Sequence, residues 1–334
     1  MNADDRGAGA GVDEAALIAR YFTGLGAPRA DVALGIGDDA ALLRPAAGCE
    51  LVMTTDSLVE GAHFLAGAAP HSLGHRALAI NLSDLAAMGA EPCWALLSLT
   101  LPGVDHGWLE AFCAGFGAQL RAHGVALAGG NLARGPLNIG VHLCGQLPAG
   151  GAITRGGAQP GDLVCVSGTL GDAAAGRAVA AGRLASGDAA GADDPRAWLR
   201  SRCEYPQARV ALGRALRGVA SACIDISDGL WRDLGRLTHA SGCGATLVAE
   251  DLPLSPALRA CRGTHALHDA LHGGEDYELL FTVPPARRAA LQVAARDGGV
   301  ACTVIGACEA GGQTWLQRAG ARESVAASGF DHFR

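Results

Sequence analysis

With 334 residues the chain is long enough for about two domains, each able to bury its own core. Its composition, 49% hydrophobic and 18% charged, is that of a soluble globular protein, and a net charge of −7 argues against a nucleic-acid surface, which would need a basic patch. There is no lysine among its 26 basic residues, and this excludes the P-loop and protein-kinase routes to ATP, which both place a lysine on the phosphates.

The polar, Gly/Ala-rich first eleven residues hold no apolar run suited to a signal peptide or membrane span, so the expectation is a cytoplasmic protein with a frayed N-terminus. Residues 13–22 fit a short amphipathic helix capped by Asp13. After a glycine loop at Gly35-Ile36-Gly37-Asp38-Asp39, residues 51–55 read as a buried strand ending at Asp56. Residues 72–88 have helical spacing with Gly89 as stop, 95–101 is a strand, 108–123 a helix, and 125–128 a strand running into Gly129-Gly130-Asn131. A strand over 137–147 completes the first domain, and Pro148-Ala149-Gly150-Gly151 is the linker, giving domains 1–149 and 150–334.

In the second domain a strand at 163–167 precedes a helix reaching 181, a Gly/Ala/Asp-rich loop covers 185–195, and 197–217 is helical with a break near Pro206. A short strand at 222–224 delivers Asp225-Ile226-Ser227-Asp228-Gly229 to a helix capped by Ser227 or Asp228. Gly273-Gly274-Glu275-Asp276 precedes a strand over 277–283, a helix reaches about Arg296, and strands at 300–305 and 314–317 finish the chain. The fold class is α+β, with two α/β domains: a mixed N-terminal sheet with helices, and a C-terminal α/β sandwich with helices on one side of its sheet.

Asp38, Asp39, Asp56, Asp84, Asp225 and Asp228 stand beside glycines or at element ends. Each alone is explained by capping or turn formation. Together, carboxylates that converged would repel one another unless cations were bound, which points to magnesium carrying a nucleotide. Gly35 to Ala40 fits a loose dinucleotide fingerprint, but two aspartates would then face a pyrophosphate directly, so that reading is rejected. The eleven cysteines are scattered without a C-x-x-C pair and read as buried, reduced thiols. His265, His268 and His272 have helical spacing but lack a further ligand, and read as surface residues.

Gly-Ile-Gly-Asp-Asp-Ala, Thr-Thr-Asp with Glu-Gly-Ala-His-Phe, Asn-Leu-Ser-Asp-Leu-Ala-Ala-Met-Gly-Ala, Gly-Gly-Asn, Thr-Arg-Gly, Asp-Ile-Ser-Asp-Gly-Leu and Gly-Gly-Glu-Asp-Tyr-Glu-Leu occur in that order. This set resembles the thiamine-monophosphate kinase family, within the aminoimidazole ribonucleotide synthetase-like superfamily, over nearly the whole chain. The resemblance implies transfer of the ATP γ-phosphoryl group to thiamine monophosphate, with several Mg2+ ions and no P-loop. It implies Asp39, Thr54, Thr55, Asp56, Asp84, Asn131, Asp225 and Asp228 as magnesium ligands or their partners, and Gly130, Asn131, Arg155 and Ser227 as nucleotide contacts. Asp39, Asp56, Asp228 and Arg155 would bear on the transferred group.

The resemblance further implies His63, Glu275 and Phe330 as contacts to thiamine monophosphate, and a homodimer joined through the first domain's strands, with neither nucleic acid nor membrane as partner. The first domain would carry ATP, magnesium and dimerisation, and the second would complete the nucleotide and substrate site. At one place the chain departs from the pattern: the family's Gly-Gly-Asp is Gly130-Asn131 here, so a ligand position is neutral and should hold magnesium more weakly. Because the acceptor is already an ionised phosphate, direct transfer without a dedicated general base is expected. The alternatives are another ATP-using synthetase of the superfamily, or a non-catalytic thiamine- or nucleotide-binding protein.

Overall fold

The structure, a computed structural model, describes residues 13–184 and 194–325. The loop expected at 185–195 falls mostly outside them, and Phe330 lies outside them entirely. Two compact units interleave along the chain: residues up to 44, 56–77 and 94–142 form one, and residues 45–55, 78–93 and 143 onward form the other.

The strands Cys49–Val59, Asn138–Pro148, Glu91–Leu101 and Ala126–Arg134 lie in that order in a four-stranded sheet. The first is eleven residues long and runs through Asp56 rather than stopping there. Its alternation of covered and exposed positions, with Val52 and Leu58 buried and Leu51 and Met53 exposed, is the period of an outer strand and not of a short buried one. Gly130 and Asn131, beyond the expected strand 125–128, also lie inside the strand, opposite Leu97 and Ser98 of the parallel neighbour. Gly130 has φ 156°, and a Cβ there would stand 2.0 Å from the Leu97 carbonyl oxygen, so the register requires glycine. In the first unit the helix His106–Ala122 starts at Asp105, whose carboxylate accepts the Trp108 N–H at 3.0 Å, and it buries Leu109, Phe112, Phe116 and Leu120 on one stripe. The helix Glu14–Tyr21 is capped by Asp13 as expected.

The second unit is built on a seven-stranded mixed sheet. Its central strand is Cys302–Glu309; next to it lies Leu163–Ser167, then Leu279–Val283, each antiparallel to its neighbour, and Ala222–Asp225 follows at one edge. Gly244–Val248, absent from the expected strands, pairs in parallel with Thr314–Arg318. Leu163–Ser167, Ala222–Asp225 and Leu279–Val283 are buried at nearly every position, so both faces of the sheet are covered rather than one. The helix Leu230–Ser241 packs Leu230, Leu234 and Leu237, one helical stripe, on Val164, Val166, Ile224 and Leu280. Burying a leucine of this kind is worth about 1.5–3 kcal/mol, so the apolar stripe fixes the helix and with it the loop that leads into it.

Candidate active site

In the second unit the acidic motifs become geometry. The strand Ala222–Asp225 ends in Asp225, 4% exposed, which accepts a hydrogen bond from the Ser83 hydroxyl at 2.9 Å. The next residue of that helix, Asp84, accepts from the Thr54 hydroxyl at 2.5 Å. Consecutive residues of the helix Pro70–Ala87 thus reach the strand end on one side and Thr54 on the other. Burial raises the Asp84 carboxyl above its ordinary range, opposed by the Thr54 hydrogen bond and the Arg155 guanidinium. Arg155 is in turn held by its carbonyl, which accepts from Ser241 at 3.0 Å.

Beyond Asp225 the chain turns through Ile226, Ser227 and Asp228. The helix N-cap is Gly229, with no side-chain cap, so neither Ser227 nor Asp228 caps it. Instead Asp233, inside the first turns of the helix, accepts the Ser227 and Asp228 N–H groups at 3.2 and 3.0 Å. Burial pushes the Asp233 carboxyl up to about 6. The Asp228 carboxylate lies 2.5 Å from an Arg236 guanidinium nitrogen, with Arg232 at 3.8 Å.

A second acidic loop lies beside the first. Ile226 N–H donates to the Glu278 carbonyl at 2.8 Å, Tyr277 N–H to Ile226 at 2.9 Å and Glu275 N–H to Ser227 at 2.8 Å. Gly274 approaches so closely that a Cβ would stand 2.3 Å from the Ser227 carbonyl oxygen. Glu275 and Tyr277 have φ of 71° and 51°, two of the three non-glycine residues at positive φ among the described residues. Strained backbone of this kind persists where the surroundings over-determine it, which is common at ligand sites. Asp276 between them is 1% exposed and accepts the Gly171 and Ala173 N–H groups at 2.7 and 3.3 Å, while burial pushes its carboxyl up to about 8. Glu278, fully buried, accepts from Arg202 at 2.7 Å, from Arg209 at 2.7 and 2.5 Å and from the Ser167 hydroxyl at 2.5 Å.

In the first unit, Asp38 accepts the Asp39 N–H at 2.8 Å, and both residues are exposed. His63 accepts the Val59 N–H on Nδ1 at 3.0 Å, which leaves the proton of the neutral ring on Nε2. Thr54 and Asp56 share one face of their strand, whereas Thr55 alternates to the exposed face.

Residues 37–147 match the family described as AIR synthase related protein, N-terminal domain, and residues 159–317 its C-terminal domain. The chain is 47% identical to the thiamine-monophosphate kinase of Salmonella typhimurium over 323 residues, 96% of this chain and 98% of that one. The chain belongs to the thiamine-monophosphate kinase family. Among solved structures of that family, the enzyme of Stenotrophomonas maltophilia K279a is 44% identical with a TM-score of 0.81, covering 88% of this chain and 93% of its own. AaThiL complexed with AMPPCP and TMP is 34% identical with a TM-score of 0.77, covering 89% of this chain and 92% of its own.

Of the residues to which the thiamine-monophosphate kinase resemblance gave roles, the second unit links Thr54 to Asp84 directly and joins Glu275 through a backbone bond to Ser227, which lies between Asp225 and Asp228 in the chain. Arg155 is exposed and acts on Asp84 through its charge. Gly130 and Asn131 are paired with Leu97 and Ser98 in their sheet, and both are exposed.

Magnesium takes hard oxygen ligands, typically one or two carboxylates completed by phosphate oxygens and water. The donors present fit it: Thr54, Ser83, Asp84 and Asp225 offer oxygen alone, and a cation beside the partly desolvated Asp84 would favour its ionised form. Among the described residues no three His, Cys, Asp or Glu side chains gather as a closed metal cage. The three histidines do not share a helix, since Ala266–His272 leaves His265 outside it, and the rings of His268 and His272 stand 4.9 Å apart.

Sequence reasoning passed over Ser83, Arg177, Asp233, Arg236, Asp276 and Glu278. The acidic pair Asp276 and Glu278 was visible within Gly-Gly-Glu-Asp-Tyr-Glu-Leu, but its partners are distant in sequence, at 171–173 and 202–209. All eleven cysteines are free thiols.

Proposed function

We propose that this protein transfers the γ-phosphoryl group of ATP to the phosphate of thiamine monophosphate, giving thiamine diphosphate and ADP. The observation that carries this is the likeness to thiamine-monophosphate kinases over nearly the full length of both chains. In such a reaction the protein mainly positions two phosphates in line and offsets their charge. Asp84 and Asp225 would hold magnesium, which when bound would supply positive charge to offset the charge developing on the transferred group.

Asp84 and Asp225 are assigned to the metal, their orientations set beforehand by Thr54 and Ser83. Asp39, Thr54, Thr55, Asp56, Asn131 and Asp228 complete the assigned set of ligands or their immediate partners. Gly130, Arg155 and Ser227 are assigned to the nucleotide, with Arg155 able to clamp phosphate in a bidentate manner. His63, donating from Nε2, and Phe330 are assigned to thiamine monophosphate, and Glu275 supplies a carboxylate to its cationic thiazolium ring.

The acceptor phosphate is already ionised, so the transfer is direct and needs no general base. Incubation with ATP, magnesium and thiamine monophosphate should yield thiamine diphosphate, and acid quenching after ATP alone should trap no phosphorylated protein. A trapped phosphoprotein would contradict direct transfer, and absence of thiamine diphosphate would contradict the activity.

Two further assignments go with this function. Residues 1–149 are assigned to ATP and magnesium binding and dimerisation, and 150–334 complete the nucleotide and substrate site, adding Asp225 and Asp228 to the magnesium ligands, a division supported by the family ranges 37–147 and 159–317. A second copy of this chain would cover Leu51 and Met53, 51% and 71% exposed on the outer strand of the four-stranded sheet, forming a homodimer. Met53→Glu should shift sedimentation from dimer to monomer, and a wild-type monomer would refute this. The cytoplasm, a reducing compartment, suits a chain with eleven free thiols, and no described helix is long and apolar enough to cross a membrane.

A further inference from the structure

The helix Asp172–Ala180 meets the strained loop at two places. Its first turn gives the Gly171 and Ala173 N–H groups to Asp276, and further along its length Arg177 places a guanidinium nitrogen 2.5 Å from a Glu275 carboxylate oxygen. The two partners are unequally placed: the Glu275 side chain is 14% exposed and that of Arg177 is 41% exposed. Glu275 is also fixed by its own backbone, with φ 71° and its N–H bound to the Ser227 carbonyl. The carboxylate therefore stays in place when the pair opens, and the guanidinium is the partner with room to swing into water.

We infer that Arg177 is an internal counter-ion that competes with the cationic ring of thiamine monophosphate for the Glu275 carboxylate, and so sets the affinity for the substrate. The inference rests on the assignment of Glu275 to that substrate. A thiazolium ring carries a permanent charge with no proton to lose, so it gains most from an anion that water solvates poorly. One carboxylate does not neutralise two cations, and the substrate's arrival releases Arg177 to solvent. Until then Arg177 occupies the Glu275 carboxylate. Opening a partly exposed ion pair costs little. That cost falls equally on the bound substrate and the transition state, so Arg177 acts on KM and not on kcat. Arg177 is thus a positioning residue.

Arg177→Met keeps the aliphatic stem and removes the charge. The calorimetric Kd and the KM for thiamine monophosphate should fall about two- to five-fold, the scale of a surface ion pair. The kcat, the KM for ATP and the melting temperature should stay unchanged, and Arg177→Lys should lie between. An unchanged or raised Kd in Arg177→Met overturns the inference. Glu275→Gln separates this from the underlying assignment. If it weakens thiamine monophosphate binding while Arg177→Met changes nothing, the role of Arg177 alone falls; if it leaves binding unchanged, Glu275 is not the substrate's carboxylate and both fall.

Discussion

The acidic loops around Asp225 and Glu275 and the glycine segment around Asp38 and Asp39 carry similar sequence signals but opposite physical settings. In the first, Asp225, Asp228, Glu275, Asp276 and Glu278 each have a stated partner, and Asp225, Asp276 and Glu278 are almost fully buried. In the second, Asp38 and Asp39 are exposed and share one local turn bond. A buried carboxylate has its orientation fixed during folding, at a cost in desolvation that its partners offset. An exposed one becomes ordered only when a ligand arrives. Substitutions in the buried loops should therefore affect stability, binding or catalysis separately and strongly, whereas the exposed segment should respond weakly and mainly through ligand affinity.

The largest effect is expected at Asp225. Asp225→Asn keeps an acceptor for the Ser83 hydroxyl and removes the charge, and kcat should fall about 100- to 1,000-fold with the melting temperature little changed. A loss below about tenfold would count against the assignment of Asp225 to magnesium and leave it a scaffold residue. Glu278 should behave in the opposite way. Glu278→Ala leaves Arg202, itself buried, and Arg209 without their shared carboxylate, and urea unfolding should show a loss of about 3–5 kcal/mol.

Asp276 gives a pH signature. Its carboxyl titrates near 8 in the folded protein against an ordinary value of 3.8, so the folded state holds the proton that the unfolded chain releases between those values. This contribution to stability is fully present below about pH 4 and is lost as pH rises through about 8. Relative to wild type, Asp276→Asn should gain stability steadily across that interval, and parallel pH profiles of the two proteins would remove the protonated Asp276. The smallest effect belongs to the exposed residues: Asn131→Asp should lower the magnesium concentration for half-maximal activity by a few-fold, and no change would count against Asn131 as a ligand.

The same contrast separates what the sequence made legible from what it did not. Elements set by periodicity or punctuation were readable: the strand Leu163–Ser167, the helix from Asp13, and the break near Pro206 between Pro195–Glu204 and Val210–Ala215. The long outer strand was cut short because Thr54, Thr55, Asp56 and Ser57 carry too little apolar character to mark a strand whose outer face is exposed. The strand expected at 125–128 continues through Gly129-Gly130-Asn131 to Arg134, which was hidden because a glycine demanded by close strand approach looks in sequence like one that ends a strand. Within the site, the acidic residues themselves stood out, whereas their partners did not. Ser83, Arg177 and Arg236 are ordinary helix residues until tertiary packing brings them to Asp225, Glu275 and Asp228, and nothing local to them encodes that meeting.

Direct passage of the phosphoryl group from ATP onto thiamine monophosphate is open to a decisive test. A single-turnover experiment with ATP labelled in its γ-phosphoryl group, thiamine monophosphate and magnesium tests it most directly. The label should appear in thiamine diphosphate at the rate at which ATP is consumed, with none on the protein at any time. Label released only as inorganic phosphate, or passing first through the protein, would contradict the account.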